Sequence, residues 1–110
     1  MDPKTQPTPI PSLFTEDPNL QPLIDGFVIG LGEHVDSLQE AELAENFTRL
    51  CELAKVLNMR AAEAGYPPLA ESAALVIEAG AQRDGRLVHK RLEELTEICL
   101  RIRLGHRSSA

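Results

Sequence analysis

Asn46–Gly65, NFTRLCELAKVLNMRAAEAG, is the stretch that decides the fold. At about 100° per residue, Phe47, Leu50, Leu53, Ala54, Leu57, Ala61 and Ala64 fall on one side of a helix. That side is the predicted core face. The other side carries Thr48, Glu52, Lys55, Val56, Met59, Ala62 and Glu63. Lys55 and Met59 are four apart, so they sit one above the other. A valine and a methionine outside the core stripe make this side more apolar than solvation needs. They mark a candidate interaction surface. Asn46 suits an N-cap and Gly65 a C′ position, so both ends of the helix are predicted.

Working outward toward the N-terminus, Asp17-Pro18 predicts a helix start, with Asp as cap and Pro in the first turn. Leu20, Leu23, Ile24, Phe27, Leu31, Val35 and Leu38 then recur at spacings of three and four. Gly26, Gly30 and Gly32 interrupt this run, each costing about 1 kcal/mol against Ala. They predict a kink near Gly30–Gly32, or two short helices nearly in line. A break is expected at Ala44–Asn46. Pro3, Pro7, Pro9 and Pro11 predict an extended, flexible lead-in over 1–13, read as a simple tail in preference to a docking motif.

Toward the C-terminus, Tyr66-Pro67-Pro68 stops the central helix and opens another over 67–83. Its face is Leu69, Ala73, Val76, Ile77 and Gly80, and Ala70, Ala74 and Ala81 keep it slim. Asp84-Gly85 is a turn pair. The last helix, 86–104, turns Val88, Leu92, Leu95, Ile98, Cys99 and Ile102 inward. Arg101, Arg103, His106 and Arg107 suit its negative end. Residues 106–110 read as a loose tail. No stretch alternates with period two. The expectation is an all-α chain: an antiparallel four-helix bundle over 14–105 with an extra, kinked N-terminal helical segment.

Composition agrees with this. The 110 residues suit one domain, and aromatics are only 4% with no Trp, so aliphatic side chains must fill the core. A net charge of −6 argues against nucleic acid, whose binding needs a basic surface, and against anionic membranes. Cys51 and Cys99 lie on separate helices and read as reduced packing thiols. No metal or cofactor is implied. The start lacks the pattern of a signal peptide, and no run nears the ~18 apolar residues of a membrane helix. A cytoplasmic protein, complete from Met1 to its short tail, is expected. No Ser-His-Asp arrangement, phosphate loop or HExxH pattern occurs. His34 (beside Glu33 and Asp36), His89 (beside Lys90 and Arg91) and His106 are scattered, as surface histidines are.

At the central helix the chain resembles a histidine phosphotransfer (Hpt) domain of bacterial two-component phosphorelays. The family pattern is roughly L-A-H-x-L-K-G, five variable residues, then G-F-P-x-L-x-x-x-A. Leu53-Ala54-Lys55-Val56-Leu57-Asn58-Met59 and Gly65-Tyr66-Pro67-Pro68-Leu69-Ala70-Glu71-Ser72-Ala73 hold that register without a gap. Asp17-Pro18-Asn19-Leu20-Gln21-Pro22-Leu23-Ile24-Asp25-Gly26-Phe27 resembles the family's front helix, and Leu92, Leu95 and Cys99 fit its last one. The resemblance implies an antiparallel four-helix bundle with an additional N-terminal helix. It also implies a surface on the central helix that meets a response-regulator receiver domain or a histidine kinase.

The departures define the expected function. Lys55 takes the place of the phosphoaccepting histidine, Asn58 that of a phosphate-neutralising lysine, and Met59 that of a glycine giving the receiver room. Phosphotransfer needs a neutral imidazole nitrogen, and an ammonium has no lone pair with which to attack. The expectation is therefore a non-catalytic adaptor or inhibitor that binds its partner through Glu52, Lys55, Val56, Asn58, Met59, Arg60 and Ala62 and transfers nothing. It would be a monomer or weak homodimer. Two alternatives stand beside it: active phosphotransfer through another histidine, with His89 the candidate, and a structural bundle self-associating through Val56, Met59, Leu75 and Leu100.

Overall fold

In the computed structural model, which describes residues 8–109 and the side chains of 8–106, five helices follow one another: α1 Gln21–Ile29, α2 Leu31–Leu43, α3 Phe47–Glu63, α4 Pro67–Ala81 and α5 Gly85–Ser109. There is no strand among the described residues. α3 packs on α4, α4 on α5, α5 on α2 and α2 on α3, while α1 rests on α2 and α5.

Very short turns impose this order. α3 ends at Ala64, and Gly65 takes φ +82°. The Gly65 N–H then donates to the Ala62 carbonyl at 3.2 Å and the Tyr66 N–H to the Ala61 carbonyl at 2.9 Å, the paired bonds of a Schellman ending. α2 and α4 end the same way at Glu45 (φ 54°) and Arg83 (φ 55°). The residue after each of these caps the next helix. Asn46 Oδ1 accepts from the Arg49 N–H at 3.0 Å, and Asp84 Oδ1 from the Leu87 N–H at 3.1 Å. One residue thus closes one helix and opens another, and the chain folds straight back onto the helix it has left.

The core is aliphatic. Leu50, Ala54, Leu57, Ala61 and Ala64 of the α3 stripe are fully buried, while Phe47 and Leu53 pack at its edge. They meet Leu69, Ala73 and Val76 of α4 and Val88, Leu95 and Ile102 of α5. Gly80 is a close approach: a Cβ there would lie 2.7 Å from Cys51 Sγ and 3.3 Å from Leu50 Cδ2. Phe27 and Tyr66 stack at one end, centroids 5.8 Å apart. Cys51 and Cys99 are both free, and burial pushes the Cys99 thiol up to about 12.

Three boundaries differ from those expected. Asp17 caps a turn, with its carboxylate accepting from the Asn19 N–H at 2.9 Å, and α1 begins only at Gln21. A helix begun at Pro18 would place Pro22 where an N–H must donate back to Pro18, and proline has none. Starting at Gln21 puts Pro22 harmlessly in the first turn. The predicted break at Gly30 is present as the junction of α1 and α2.

α5 continues past 104 to Ser109, so the segment from 106 is helical through that residue. His106 Nε2 lies 2.7 Å from Asp25 Oδ1 of α1, which anchors this last stretch. At the front, residues 8–13 are docked against the helices in place of the flexible lead-in. The Ile10 N–H donates to the Arg101 carbonyl at 2.9 Å, and the Leu13 N–H to the Gly65 carbonyl at 2.9 Å. Ser12 is buried, and its hydroxyl donates to the Ala64 carbonyl at 2.6 Å. Pro3 and Pro7 of the predicted lead-in lie outside the described residues, as does Ala110 of the predicted tail.

Candidate docking surface

Lys55 lies midway along α3 and is exposed, next to Val56 in the chain and one turn from Glu52 and Met59. Among the described residues no carboxylate is within ion-pair distance of its ammonium. Val56 is 43% exposed and Met59 54%. Arg60, Glu52 and Ala62 are exposed around them. A cation therefore stands beside two apolar side chains on one helix. Asn58 is set apart from this group. It is half-buried, and its amide donates to the Ala70 carbonyl of α4 at 2.7 Å, so its polar end is committed to helix packing.

On the α2 side, Val56 and Arg60 border a groove of about 360 Å³ that Leu23 and Phe27 of α1 and His34 of α2 complete. Gly30, at the junction of α1 and α2, also lines it. His34 is not the plain surface histidine that its neighbours Glu33 and Asp36 suggest. Its ring is half-buried, 6.3 Å from that of Phe27. Burial lowers its pKa, the Arg60 guanidinium lowers it further, and Glu33 opposes both. Burial and Arg60 together favour the neutral imidazole. The signal in the sequence was His34 falling three residues after Leu31 and one before Val35, at the margin of the α2 core stripe.

His89 is exposed on α5. Its Nδ1 is 2.9 Å from Glu42 and its Nε2 3.2 Å from Glu93. A phosphoryl group on either nitrogen would displace a carboxylate and then sit against negative charge. At His106, the hydrogen bond to Asp25 holds that carboxyl below the usual carboxylate range, with Gln21 adding a second hydrogen bond. Among the described residues no three His, Cys, Asp or Glu side chains cluster to hold a metal ion, and no helix is long and apolar enough to cross a membrane. Of the other exposed apolar residues, Leu23 lies in the groove with Val56, while Leu75 borders a groove between α4 and α5 and Leu100 one between α2 and α5.

Comparison of the chain with family models, curated proteins and solved structures finds no match.

Proposed function

We propose that this chain is a non-transferring Hpt-like docking protein, an antiparallel four-helix bundle of α2–α5 whose α3 face binds the receiver domain of a response regulator. The observation that carries the reading is Lys55, exposed in mid-helix with no carboxylate partner among the described residues and flanked by exposed Val56 and Met59. The resemblance puts this position opposite the acidic phosphorylation pocket of a receiver. A lysine there pairs with the pocket's carboxylates, and the apolar neighbours supply buried contact area. The ammonium has no lone pair with which to accept phosphate, so the complex stalls the relay. The test is titration of isotope-labelled protein with receiver domains from the same genome. Amide shifts confined to α3 around Lys55, and their loss in Lys55→Glu, are the expected result. Shifts elsewhere, or binding indifferent to the charge reversal, refute the reading.

A second reading is favoured by one observation, half-buried His34 lining a groove with Arg60, where burial and the guanidinium favour its neutral form. A neutral imidazole can attack an aspartyl phosphate, and a guanidinium can stabilise the product. Acid-labile phosphate on the chain that disappears in His34→Gln would establish it.

A further inference from the structure

α2 and α5 touch each other less closely than α3 and α4 do. Between them runs a trough of about 600 Å³ that no residue of α3 lines. Its floor is mainly apolar: Val35 of α2, with Leu92, Cys99 and Leu100 of α5, and Thr96, whose hydroxyl is turned back onto the Leu92 carbonyl at 2.7 Å. Leu100 is 49% exposed there, although α5 turns a complete core stripe inward. Its rim is acidic on both sides, Asp36 and Glu42 from α2 and Glu93 and Glu97 from α5. His89 bridges Glu42 and Glu93 at one end. Arg103 closes the other, its guanidinium within 2.7 Å of where a Cβ on Gly32 would stand.

The trough is long. Lining residues run from Gly32 to Glu42 on α2 and from His89 to Arg103 on α5, or about 15 Å and 21 Å at helical rise. That length takes three to four turns of a helix. An apolar floor between two acidic rims complements a helix with a leucine-type stripe flanked by Lys and Arg. We infer that this trough is a second docking site, and that its occupant is a basic amphipathic helix of a partner protein. The Arg103 end repels cations, so the partner's basic residues concentrate toward Glu42 and Glu93. The site shares no residue with the α3 face, so one chain can hold two partners at once.

The experiment uses fluorescence anisotropy at physiological salt, with a labelled leucine–lysine amphipathic peptide of about 14 residues as probe and a leucine–glutamate peptide of the same pattern beside it. The expected result is saturable binding of the basic probe alone. Glu93→Lys/Glu97→Lys, and separately Leu100→Asp, should weaken it about tenfold or more, with helicity by circular dichroism unchanged. Glu71→Lys/Glu78→Lys on α4 changes net charge equally away from the trough and should weaken it far less. Lys55→Glu should not weaken it, which separates this site from the α3 reading. The inference is overturned by equal binding of the acidic peptide, by equal effects of the α4 and α5 reversals, or by insensitivity to Leu100→Asp. Sedimentation showing that a second copy of the chain occupies the trough, as a dimer abolished by Leu100→Asp, also overturns it.

Discussion

Replacing Gly65 with alanine tests how the front segment is held and how α3 is terminated. Gly65 sits at φ +82°, where a Cβ costs about 1–2 kcal/mol. The new methyl would lie 2.6 Å from Ser12 Oγ, 2.8 Å from Phe14 Cδ2 and 3.1 Å from the Leu13 nitrogen. Leu13 is backbone and cannot step aside alone, so residues 12–14 must lift. Lifting breaks the Ser12 hydroxyl bond to Ala64 and the Leu13 N–H bond to Gly65. Each is worth about 0.5–1.5 kcal/mol net. The sum is a loss of about 2–5 kcal/mol, a large share of a small domain's stability. Urea unfolding measures it, with hydrogen exchange at the Leu13 amide as the local readout. Gly26→Ala is the companion variant: a Cβ there meets nothing within 4 Å, so it should stabilise α1 by up to about 1 kcal/mol. A Gly65→Ala loss below about 1 kcal/mol with Leu13 protection unchanged would refute the reasoning.

Cys51, half-buried, should react with a thiol reagent in the native protein, while buried Cys99, its pKa pushed up to about 12, should react only on unfolding. Counting modified thiols by mass before and after denaturant checks this. Acidification should destabilise the fold in two stages. The folded His34 pKa lies below 6.5, so the unfolded chain takes up the proton first and stability falls as pH drops below 6.5 toward the folded value. Asp25, held below 3.8, adds stability that is lost as pH falls below that value. Thermal melts across pH should show the first stage vanish in His34→Gln. Asn58→Ala should cost about 0.5–1.5 kcal/mol by removing the bond to Ala70, yet leave partner binding intact; weakened binding without lost stability would return Asn58 to the docking surface.

Local signals made α3 legible. Asn46, the spacing of Leu50, Ala54, Leu57, Ala61 and Ala64, and Gly65 each act within one or two turns. The same holds for the Gly30 break and the Asp84-Gly85 turn, where Asp84 proves also to cap α5. Contacts distant in sequence decided the rest. Nothing near Gly105 reveals that α5 runs on, because the reason lies in Ile10, whose carbonyl would be 2.6 Å from a Cβ on that glycine, and in the Asp25–His106 pair. The start of α1 was readable in principle, since Pro22 forbids a helix begun at Pro18. For the surface, the exposure of Lys55, Val56 and Met59 followed from helix phase alone. The attachment of Asn58 to α4, the half-buried His34 beside Arg60 and the α2–α5 trough depend on how helices meet, which no single helix's pattern contains.

Incubating the protein with receiver domains charged by radiolabelled acetyl phosphate tests the account most directly. It predicts a complex that forms with native Lys55, weakens with Lys55→Glu, and leaves all label on the receiver's aspartate. Acid-labile label appearing on this chain would contradict it.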